Sequence, residues 1–96
     1  MAEITEKQIE DWKKKYGEIY AVTVEDKVGY LRKPDRKILS AANNYAQDSI
    51  KYNEFVLKNC WLGGDVVLME EDAYFFAVCK KLGELIEVKE AELKKI

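Results

Sequence analysis

Between Glu18 and Pro34 the chain runs EIYAVTVEDKVGYLRKP, and its period is two. Tyr20, Val22 and Val24 alternate with Ile19, Ala21 and Thr23, and β-branched and aromatic residues dominate. Glu25-Asp26-Lys27 is polar and turn-like, and Val28 to Arg32 resumes the strand composition, so the segment reads as a β-hairpin. The turn length sets the register, and the sequence leaves two choices open. A two-residue turn places Leu31 on the face of Val22, whereas a three-residue turn places Tyr30 there. Both faces carry apolar or aromatic residues. A two-stranded sheet also has two open edges, which helices cover or another chain pairs with. Tyr30 and Ile19 are the candidates for the outer face.

On the N-terminal side the punctuation is helical. Thr5 with Gln8 three residues on forms a capping-box pattern, each side chain satisfying a backbone N–H at the helix start. Ile9, Trp12 and Tyr16 share one face, and Gly17 can adopt the positive φ of a helix end, so a helix is expected over 6–16.

On the C-terminal side Pro34 ends the strand and Asp35 can cap a helix over 36–47 with the stripe Ile38, Leu39, Ala42, Tyr45 and Ala46. Asp48 or Ser49 then opens a helix running to Leu62 and stopping at Gly63-Gly64. Its apolar arc holds Ile50, Val56, Leu57, Cys60 and Trp61, widened by Tyr52 and Phe55, which marks it as the central element. Glu54 and Lys58 are spaced for an i,i+4 ion pair. Val66 to Met69 is a short apolar run that fits a third strand or an extended connector. A last helix, opened by Glu70-Glu71-Asp72, aligns Tyr74, Phe75, Val78, Cys79, Leu82, Leu85 and Ile86. Gly83 is a possible bend, and helical spacing continues through Leu93 and Ile96. The expected fold is α+β: an N-terminal helix, a β-hairpin, then a bundle of three to four helices, as one domain over 1–96.

Composition bounds the function. The 96 residues are 48% hydrophobic and 35% charged, enough apolar surface to offset the entropy of ordering the chain. Sixteen Lys and Arg against 18 Asp and Glu give a net charge of −2, with both signs interspersed, so no face is built for a polyanion and nucleic acid is not an expected partner. No window approaches the ~20 apolar residues that span a bilayer, and the charged start is unlike a signal peptide. The expected compartment is the cytoplasm, where Cys60 and Cys79 are expected as reduced core residues.

The chain has no histidine. That removes the usual general base, the usual metal ligand and every imidazole-dependent triad. The cysteines have no C-x-x-C spacing, and the acidic run at 70–72 has no EF-hand spacing around it. Gly63-Gly64-Asp65 follows a helix instead of opening one and lacks the Lys-Ser/Thr of a phosphate loop. Lys13-Lys14-Lys15 fits the solvated face of the first helix. Neither an enzyme, a cofactor nor a metal is expected. Phe76 lies about 100° off the apolar arc of its helix and, if exposed, fits an anchor for a protein contact.

The order of segments resembles a known family. VGYLRKPDRK (Val28 to Lys37) is a strand delivering an aromatic, a basic residue and a proline into a helix start. EFVLKNCWL (Glu54 to Leu62) follows, closing at the glycine pair, and then the helix from Asp72 to Ile86. This resembles the small tail assembly chaperones of tailed bacteriophages and prophages, over residues 18–86; the helix from Thr5 to Tyr16 is not part of the pattern. The resemblance implies a cytoplasmic protein of the bacterial host that coats the tape-measure protein, meets the tail-tube subunit and is absent from the finished virion. A holdase of this kind offers exposed apolar or aromatic patches, for which Phe76, Tyr30, Tyr52 and Trp61 are the candidates. A small cytoplasmic adaptor or antitoxin-like module, forming a homo-oligomer through the hairpin edge, is the alternative.

Overall fold

The computed structural model describes residues 4–86 and 91–96. Helix α1 (Glu6–Tyr16) starts at Thr5, whose side chain accepts from the Gln8 N–H at 3.2 Å while Gln8 Oε1 accepts from the Thr5 N–H at 3.0 Å. It ends at Gly17, with φ 79° and its N–H donated to the Lys13 carbonyl. Strands β1 (Ile19–Val24) and β2 (Lys27–Arg32) form the expected hairpin. The turn has two residues, Val24 facing Lys27 across it. Glu25 takes φ 55°, the positive value that both primed hairpin turns require at that position. Leu31 therefore faces Tyr20 and shares the face of Val22, which settles the register.

Asp35 caps α2 (Arg36–Ala42), accepting from the Ile38 N–H at 2.8 Å. That helix stops short of the expected residue 47 and tightens into a 3-10 turn over Asn43–Tyr45. Asp48 then accepts from the N–H groups of Ile50 and Lys51 to open α3 (Ser49–Cys60). Glu54 and Lys58 do pair, at 4.0 Å.

The main departure from expectation comes next. The helix ends at Cys60, and Trp61–Gly64 is the third strand, β3, antiparallel to β2 in the order β1-β2-β3. The run Val66 to Met69, expected as a strand or connector, instead feeds a short helix, α4 (Val67–Glu70). The glycine pair reads as a helix stop but serves the strand. A Cβ on Gly64 would lie 2.5 Å from the Val28 carbonyl oxygen, and φ there is 121°, so only glycine lets β3 approach β2 this closely. The Asp65 N–H extends the pairing by donating to that same carbonyl at 2.9 Å.

Helix α5 (Asp72–Leu82) ends in a 3-10 turn over Gly83–Leu85. Ala91 to Ile96 carry no regular structure and are exposed, so the helical spacing of the tail is not realised there; residues 87–90 lie outside the described residues.

Three layers result. Tyr20, Val22 and Leu31 turn the inner face of the sheet toward α2–α5, where Leu57, Cys60, Leu68 and Val78 are the largest fully buried side chains. Each such aliphatic side chain contributes about 1.5–3 kcal/mol on burial. Ile50 and Tyr45, expected on the buried stripes, are exposed. On the outer face lies α1, its Trp12 ring 5.8 Å from that of Tyr30 and its Tyr16 ring 4.7 Å beneath the Arg32 guanidinium.

Candidate functional site

With β2 in the middle, the sheet has two edge strands among the described residues, the four-residue β3 and the six-residue β1. The two-residue turn dictates what the β1 edge offers. In an antiparallel hairpin closed this way, the residues flanking the turn exchange both hydrogen bonds, and bonded and non-bonded pairs then alternate. Val24, Val22 and Tyr20 thus point their backbone groups to β2, while Ile19, Ala21 and Thr23 point theirs outward. Ala21 and Thr23 are exposed, and among the described residues no strand pairs there. Sheet edges are ordinarily guarded by proline, a bulge or a charge within the strand. The run Ile19-Tyr-Ala-Val-Thr-Val24 has none of these.

Beneath this edge runs a groove of about 350 Å³ between β1 and the end of α5. Half-buried Val22 lines it above a floor of the buried core residues Leu31, Val78, Leu82 and Leu85, and Lys81 and Glu84 stand on its rim, 3.4 Å apart. The two ends of the edge are acidic. At one end Glu18 receives the Tyr20 hydroxyl at 3.1 Å and the Lys33 ammonium at 3.4 Å. At the other stand Glu25 and Asp26, Glu25 accepting from the Tyr74 hydroxyl at 3.1 Å and Asp26 pairing with Lys27 at 3.0 Å. The bond to Glu25 raises the Tyr74 pKa and keeps that phenol a donor, which ties α5 to the hairpin tip. The Lys27 ammonium holds the Asp26 carboxyl below its ordinary value.

This arrangement can bind backbone and apolar side chains; it has little with which to transfer protons or electrons. Its rim holds one exposed ion pair. Burial pushes the Cys60 thiol up to about 11 and raises Cys79 as well, so neither supplies a thiolate nucleophile near neutral pH. Both thiols are free. Among the described residues, no group of three or more Cys, Asp or Glu is placed to hold a metal ion.

The four aromatics singled out from the sequence do not form one patch. Phe76 is 46% exposed on the flank of α5, its ring 5.7 Å from that of Phe75. Tyr30 is on the outer face, as expected together with Ile19, but Trp12 of α1 packs on it. Trp61 is on the opposite face, its ring filling the space above Gly29, and it packs against the core, as does Tyr52. Of the four, Phe76 alone is exposed. The groove residues Leu82 and Leu85 were legible only as core. The hairpin reading left two edges to be covered or paired, and it did not show that β3 takes the β2 side and leaves β1 unpaired.

No protein-family model matches the chain, and neither a curated protein nor a solved structure matches it. No helix among the described residues is long and apolar enough to cross a membrane.

Proposed function

We propose that this chain is a protein-binding assembly factor, acting in the manner of the tail assembly chaperones of tailed phages and prophages. The observation that carries the binding role is the unpaired β1 edge above a groove whose rim charges, Lys81 and Glu84, are paired with each other. The order of segments over 18–86 supports the narrower assignment. On this reading the chain works in the cytoplasm of the bacterial host, holding the tape-measure protein and meeting the tail-tube subunit. Many weakly held copies act together, so avidity replaces tight single contacts. Exposed Phe76 supplies a second apolar contact. It is not an enzyme and uses no cofactor.

The alternative is a cytoplasmic adaptor or antitoxin-like module with one defined partner. The shortness of β1, a single six-residue edge, favours it. Co-purification with the products of the neighbouring genes, followed by mass determination of the complex, separates the two. A long helical protein carrying many copies supports the chaperone, and one small partner in a fixed ratio supports the adaptor. A chain recovered alone contradicts both.

A further inference from the structure

Helix α1 is held unlike the other helices. Each of α2–α5 sets at least one fully buried residue into the core, from Ala42 of α2 to Leu82 of α5. None of the 11 residues of α1 is fully buried, and only Ile9, Trp12 and Tyr16 are half-buried. Its charged side chains are all exposed. Among the described residues, no hydrogen bond or ion pair joins α1 to the sheet or to another helix. What holds it is side-chain stacking, with the Trp12 ring on Tyr30 and over Gly63 and the Tyr16 ring beneath the Arg32 guanidinium. Helix α5, by contrast, is also tied by the Tyr74 hydroxyl, which donates to Glu25 at 3.1 Å.

The link from α1 to β1 has the makings of a hinge. It consists of Gly17 and Glu18, both exposed. Gly17 has φ 79°, and a Cβ there would meet nothing within 4 Å. A glycine in open space can absorb the φ/ψ change that swings a helix. Lifting α1 about it breaks no buried hydrogen bond and leaves no cavity in the core, which is built on the other face of the sheet. Trp12 stands mid-helix, so both ends lose their seat when its ring leaves. A free helix of 11 residues is marginal in water, so its amides open to solvent together.

We propose that α1 is a strap that lifts as one unit about Gly17 while the sheet and α2–α5 stay folded, uncovering the Tyr30 ring. This goes beyond the protein-binding reading and does not depend on it. The test is native-state amide hydrogen exchange on the full chain, followed residue by residue in water and in urea below the unfolding transition. Amides from Ile9 to Gly17 are expected to share one opening, at least about tenfold more frequent than that of α3 and α5. Their rates rise with urea along one common slope, shallower than the slope of α3 and α5, because less surface is exposed. Gly63→Ala adds a Cβ 3.0 Å from Trp12 Cη2 and 3.1 Å from Ile4 Cδ1. It should quicken Ile9 to Gly17 by one common factor and leave α3 and α5 unchanged.

Exchange of Ile9 to Gly17 only at the rate of α3 and α5 overturns the proposal. So does exchange that slows gradually from the Thr5 end toward Tyr16 without a urea slope, which is fraying. Both comparisons use the wild-type chain and stand even if Gly63→Ala does not fold. A folded Gly63→Ala chain in which α3 and α5 quicken as much as α1 also overturns it, since α1 then opens only with the whole molecule.

Discussion

Gly29 sits beneath the Trp61 ring, where a Cβ would come within 2.6 Å of two ring carbons and 3.1 Å of Leu68 Cδ1. The ring is rigid and held between strand and helix, so the conflict has no inexpensive exit. Gly29→Ala should lower stability by about 1–3 kcal/mol in urea unfolding, the ordinary range for overpacking a core. Cys60 makes a second residue-scale test. Folded, its thiol keeps the proton to about 11, whereas the unfolded chain releases it near 9.0. Its contribution is therefore complete below pH 9 and is lost as pH rises toward 11, about 2 kcal/mol over that interval. Cys60→Ala, although less stable at every pH, should show a shallower decline between pH 9 and 11 than the wild type. At this scale the local motifs were readable. Thr5 with Gln8, Asp35 and the Glu54–Lys58 pair are set by neighbours three or four residues away, which a sequence displays. The Trp61–Gly29 contact joins distant segments and leaves no such trace.

Among elements, the hairpin was legible because alternation over six residues in each strand is a strong signal. Strand β3 was not. Four residues ending in two glycines carry too little periodicity, and glycine after an apolar helix ordinarily marks its end. The tail shows the converse failure, since helical spacing at Leu93 and Ile96 has nothing to pack on and both side chains are fully exposed. Helix α1 was placed correctly, but its role as cover for the outer face was not visible until β3 was located. No residue of α1 is fully buried, and Trp12 is its main anchor, packed on Tyr30 and over Gly63. Trp12→Ala should release α1 from the sheet. Amide exchange in 6–16 is expected to quicken well beyond any change in α3 and α5, which pack on the other face.

For the molecule as a whole, α1 shields one face of the sheet, α2–α5 bury the other, and β3 covers one side of β2. Of the two edge strands, β1 is the longer, and its outward backbone groups stand above the groove at the end of α5. The sequence showed a hairpin whose edges need cover or pairing, and Phe76 set off the apolar arc of its helix. It could not show the groove, because the groove exists only where the end of α5 crosses β1. Amide hydrogen–deuterium exchange on the complex with a co-purified partner is the direct measurement of docking at that edge. Docking there predicts that Ala21 and Thr23, fast in the free chain, become at least about tenfold slower when the partner is bound. Unchanged exchange at both amides, with new protection confined to the flank around Phe76, would contradict it.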